Sequence, residues 1–142
     1  MRYILDMRFV LDEIYKYIEQ NLNDFLEERG LLPFRRIALG PFSSDITPSL
    51  NLSLKELKIA DEFASPNSNV WKGVLILTVF LREDGEKGDS FMSSYLQAVC
   101  DFLESREMSP FFKISCRKIT SVKVQKPLLR GMDIELEVLY LP

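Results

Sequence analysis

At 142 residues, with 46% apolar and 27% charged side chains, the chain has the length and composition of one globular domain, residues 1–142, able to bury a core without metal or disulfide staples. Its net charge is −3 and no run of lysine and arginine exceeds the pairs Arg35-Arg36 and Arg117-Lys118, which argues against a sequence-specific nucleic-acid surface. It has no histidine, so the commonest general base, triad partner and metal ligand is missing, and an enzyme would have to cluster carboxylates, lysine or tyrosine instead.

The N-terminus mixes Asp6, Asp12 and Glu13 with its apolar residues and lacks the basic start and apolar core of a signal peptide. No stretch reaches the roughly 18 apolar residues of a membrane span, so the expected compartment is the cytosol and no membrane partner is expected. Residues 3 to 29 carry Ile4, Met7, Leu11, Ile14, Ile18, Leu22 and Phe25 at three- and four-residue spacing, with Gly30 just past them as a stop. This predicts an amphipathic helix about 40 Å long. A second line of Tyr3, Val10 and Tyr17 runs beside the stripe at seven-residue spacing. It either covers the edge of the same core or meets a neighbouring subunit.

After Pro33, "FRRIAL" reads as a short strand and "GPFSSDITPS" as a loop. Leu50, Leu52 and Leu54 then alternate with polar residues, but the alternation slips by one place to Leu57 and Ile59. Such a slip implies a bulge near Lys55 and Glu56 or a break into two strands. "VWKGVLILTVFLR", residues 70 to 82, is apolar on both alternating sets, as expected of a central strand covered on two sides. The chain's own helices supply one cover, and a partner subunit is a candidate for the other.

The loop that follows, "REDGEKGDS", holds Asp84, Glu86 and Lys87. It lacks the alternating acids of an EF-hand before its glycine, and six places after Gly85 stands Phe91 where a bidentate glutamate belongs. Lys87 precedes Gly88 and Asp89 rather than a serine or threonine, and the nearby acids repel phosphate. No metal or cofactor is expected there. The loop is either a solvated connection or a partner contact, to which Asp84, Glu86 and Lys87 are assigned. Asp89 or Ser90 then caps a second helix with Phe91, Met92, Tyr95, Leu96, Val99, Phe102 and Leu103 on its apolar face.

Cys100 on that helix and Cys116 in the next strand read as small apolar residues rather than a redox pair. The last two segments, "FFKISCRKITSVKV" and "MDIELEVLYL", form a strand pair through "QKPLLRG". Setting Val124 opposite Ile134 also matches Val122 with Leu136, Lys123 with Glu135 and Ser121 with Glu137. The row Asp133, Glu135, Glu137 is then an outward charged face rather than a cation site. The fold class is α+β, a mainly antiparallel sheet of four to five strands in the order α-β-β-β-α-β-β. No nucleophile elbow, dinucleotide turn or C-x-x-C is present.

The long opening helix, the segment "VWKGVLILTVFLRE" with its acidic loop and "SFMSSYLQAVCDFLES", and the closing "MDIELEVLYL" together resemble the tail-terminator, or tail-completion, proteins of long-tailed phages. The resemblance is architectural and runs from about residue 3 to the end of the chain. It implies a protein without catalytic residues that forms a homo-oligomeric ring, commonly a hexamer. Such a ring sits on the tail tube protein, offers a joining surface to head-neck proteins, and is found in the cytoplasm of the bacterial host during assembly and then in the virion tail. The residues leave open two alternatives: another neck or baseplate subunit, and a small cytosolic binding module or carboxylate-dependent enzyme.

Overall fold

The computed structural model describes residues 7–40, 46–59, 71–82, 87–105, 112–122 and 129–140. The apolar stripe of the first segment winds into helix α1, Met7–Glu28, which buries Ile14, Ile18, Leu22 and Leu26 completely. The stop signal at Gly30 acts as the spacing predicts. Gly30 adopts φ of 76°, its N–H donates to the Glu27 carbonyl at 3.0 Å, and the Leu31 N–H donates to the Leu26 carbonyl at 2.9 Å. These paired bonds satisfy carbonyls that the end of a helix leaves unpaired. The chain leaving α1 is then held by Asn23, whose amide nitrogen donates to the Phe34 carbonyl while its oxygen accepts from the Phe34 N–H.

Five strands follow the expected order around a second helix: β1, Arg36–Leu39; β2, Ser49–Ile59; β3, Trp71–Arg82; α2, Lys87–Ser105; β4, Phe112–Val122; and β5, Leu129–Tyr140. They form one mixed sheet ordered β1-β2-β3-β5-β4, with β1 parallel to β2 and every other pair antiparallel. The strand apolar on both faces, β3, lies at the centre, as its pattern requires. The slip in β2 is a bulge between Leu54 and Glu56, where the alternation breaks. Helix α2 starts at Lys87, so Asp89 and Ser90 lie inside its first turn rather than capping it.

The last hairpin corrects the expected register. Val122 pairs with Gly131, Ile119 with Ile134, Lys118 with Glu135, Cys116 with Leu136 and Ser115 with Glu137. Ile134 therefore meets Ile119 and not Val124, and Lys118 takes the place assigned to Lys123. The reason lies in where the ladder closes: β4 ends at Val122 and β5 begins at Leu129, so the pairing lies five residues from the expected one between Lys118 and Val122 and six residues from it at Ser115 and Cys116. An odd shift exchanges faces, so Val122 is aligned with the outward row and Ser121 with the inward one. Base still meets acid, because Lys118 stands opposite Glu135.

Both helices cover the same face of the sheet. Their buried residues join Leu50, Leu52, Leu75, Leu77, Val79, Ile134, Leu136 and Val138 in one core. At the seam between the helices, the Phe102 ring stacks on Tyr17 at 5.3 Å and tilts against Phe25 at 5.4 Å. Arg29 closes the seam at the surface, with one guanidinium nitrogen 2.6 Å from Asp101 and its carbon 4.7 Å above the Phe25 ring. That ion pair holds the Asp101 carboxyl below the usual carboxylate range, helped by a hydrogen bond from Gln97.

Candidate interaction face

The side of the sheet away from the helices is where the sequence left a question. Alternation along β3 and β5 places Lys72, Val74, Ile76, Thr78 and Phe80 of β3 beside Leu139, Glu137, Glu135, Asp133 and Gly131 of β5 on this face. Val74, Ile76 and Leu139 are half-buried, and neither helix covers them. An apolar middle flanked by charges is the composition of a surface that meets another protein.

The acidic row of β5 is matched by cations on the strands beside it. Glu137 accepts from Arg117 at 2.6 Å and lies 3.3 Å from the Lys72 ammonium; Glu135 lies 3.7 Å from Lys55. Asp133 accepts a hydrogen bond from the Thr78 hydroxyl. Burial alone would push the Glu137 carboxyl up, but the hydrogen bonds from Arg117 and Lys72 outweigh it and hold the group below its usual range. Among the described residues no group of carboxylates and cysteines is arranged to hold a metal ion.

Two of these cations arrive through irregularities in the ladder. Lys55 is the extra residue of the β2 bulge and Arg117 that of a second bulge, between Cys116 and Lys118 in β4. A bulge lets two successive residues point to one face. Each strand flanking the β3-β5 pair thereby adds one cation to the open face, directed at a β5 carboxylate. Both slips are written in the sequence, at Leu54 to Leu57 and at Cys116 to Ile119, although only the first stands out in a run of leucines.

The face also holds two polar side chains shut away from solvent. Ser49 and Asn51 of β2 are 0% and 2% exposed, and among the described residues neither the Ser49 hydroxyl nor the Asn51 amide nitrogen has a hydrogen-bond partner. Exposed apolar side chains lie elsewhere, at Leu32 (72% exposed), Ile46 (45%) and Ile119 (47%). Leu32 borders a cavity of about 320 Å³ between the end of α1 and the end of β3, lined also by Leu31, Pro48, Leu81, Arg82 and Tyr95. Its described lining carries no carboxylate.

Among the residues assigned from sequence, Tyr17 is half-buried with its ring on Phe102, at the seam between the helices. Val10 lies within α1 and Lys87 opens α2. Tyr3, Asp84 and Glu86 lie outside the described residues.

This arrangement of one sheet with two helices on one side has solved counterparts. It shares its fold with a chain from the virion of a native gene transfer agent particle. The two superpose with a TM-score of 0.58 at 12% identity, over 91% of this chain and 92% of that one. A second solved chain, whose designation carries no function, superposes with a TM-score of 0.51 at 18% identity over 91% of this chain and 94% of its own. No protein-family model matches the sequence. No curated protein matches it either. No described helix is long and apolar enough to cross a membrane.

Proposed function

We propose that this protein is a structural subunit of a phage-like particle, and that its place is the end of the tail. In this reading it forms a homo-oligomeric ring that terminates the tail tube and offers a surface to the head-neck proteins, without catalysis of its own. The observation that carries the proposal is the fold likeness, end to end, to a chain of a gene transfer agent virion. The finer assignment to a terminator rests on the sequence resemblance to tail-completion proteins. The open sheet face gives a physical reason for assembly, because Val74, Ile76 and Leu139 are half-buried on a face that the helices leave uncovered. Head-to-tail contacts between unlike faces of identical subunits close into rings when the rotation permits. The acidic loop with Asp84, Glu86 and Lys87, and the line of Tyr3, Val10 and Tyr17, are the assigned contacts.

Light scattering across a concentration range, with negative-stain microscopy of any large species, tests this directly. Closed rings of uniform subunit number support the reading. Replacing both acids, Asp84→Lys with Glu86→Lys, weakens assembly or docking while the melting temperature holds. A protein that stays monomeric on purified tail tubes as well as in solution overturns it. A neck or baseplate subunit is the second reading, and the same virion likeness supports it equally; binding to tube ends rather than to neck or baseplate components separates the two.

A further inference from the structure

We propose that Cys100 and Cys116 form a modification site, a dithiol that closes to an intramolecular disulfide joining α2 to β4. Both are free and only half-buried, and both pack against the edge of the core. Cys116 aligns with Leu136 on the helix-covered side of the sheet. Glu104, one helical turn beyond Cys100, accepts a hydrogen bond from the Cys116 N–H at 2.9 Å. Residues four apart on a helix share a face, so the contact that ties Glu104 to Cys116 also turns Cys100 toward it. Each thiol is the strongest influence on the other's acidity.

The pair is unequal. The neighbouring Cys116 side chain holds the Cys100 thiol below its usual range, against burial and the charges of Glu104 and Asp101. The same interaction, with burial, pushes the Cys116 thiol up. Cys100 is therefore the attacking sulfur, since the thiolate is the nucleophile. The oxidant class is a small disulfide, such as oxidised glutathione. The Cys100 thiolate attacks one of its sulfurs, the S–S bond breaks, and one glutathione thiolate leaves and takes up a proton. Cys116 then gives its proton to solvent and attacks the Cys100 sulfur, expelling the second glutathione thiolate, which is protonated in turn. Two protein thiols are oxidised and one disulfide is reduced to two thiols.

A particle released from a cell passes from reducing to oxidising surroundings, where such a bond persists. That consequence rests on the proposed particle role, whereas the chemistry does not. The reduced, purified full chain is incubated with oxidised glutathione, then analysed by intact mass, alkylation and non-reducing electrophoresis. The expected product has lost two hydrogens, retains no glutathione, has no alkylatable thiol, runs as a single chain and melts higher than the reduced form. Cys116→Ser is expected to stop at the glutathione adduct on Cys100. A wild-type chain that keeps glutathione, that links to a second chain through these thiols, or that leaves both thiols alkylatable overturns the proposal. The wild-type reading stands even if the variant fails to fold, and ring formation, scored separately by light scattering, does not affect it.

Discussion

Single residues set the limits of this fold at identifiable places. Gly30 has a positive φ and open space around it, so a side chain there meets no neighbour and only the backbone conformation is strained. Gly30→Ala is expected to cost about 1–2 kcal/mol in urea unfolding, and Gly30→Asn less, because asparagine tolerates the left-handed region. Glu137 behaves differently, since its effect depends on pH. Its carboxyl titrates below its ordinary value of 4.5 in the folded state, so its contribution is complete above the unfolded value and disappears as pH falls through the folded one. Glu137→Gln should lose about 1 kcal/mol at neutral pH, a figure kept small because Arg117 is exposed and screened. The gap between variant and wild type should close in acid, and parallel stability curves from neutral pH down to about pH 3 would exclude this role.

Whole elements show which parts of the fold were legible in the sequence and which were not. The stripe of α1, its stop at Gly30, the central place of β3 and the bulge at Lys55 follow from local patterns, because each depends on the residue's own alternation or backbone freedom. The register of β4 against β5 does not, since several alignments pair lysine with glutamate and the choice depends on how many residues the connection takes. The contact of Glu104 with Cys116, which brings the Cys100 turn of α2 to β4, was equally hidden, because it arises from packing between a helix and a strand. The core between the elements is the costliest to disturb. Phe102, fully buried and touching both Tyr17 and Phe25, should lose about 3–5 kcal/mol on Phe102→Ala, measured by thermal or denaturant unfolding. Hydrogen exchange should find the amides of β3 and β5 slowest, since each pairs on both sides, and those of the four-residue edge strand β1 among the fastest in the sheet.

For the molecule as a whole, the helices and the open sheet face divide the work. The helices close one side with a core of aliphatic and aromatic residues, while the other presents half-buried apolar side chains within a row of matched charges. Exposed Leu32 offers a clean probe of assembly. Leu32→Asp should change the melting free energy by less than about 0.5 kcal/mol, because the side chain is mostly in solvent, yet reduce any ring seen by light scattering if the cavity rim is a contact. The two bulges have a consequence for descent. In this sheet the extra residues at Lys55 and Arg117 decide which side chains point outward, so a lineage can exchange the letters at those places far more easily than it can gain or lose one. Relatives should therefore be traced by insertions and deletions placed against the ladder rather than by identity alone.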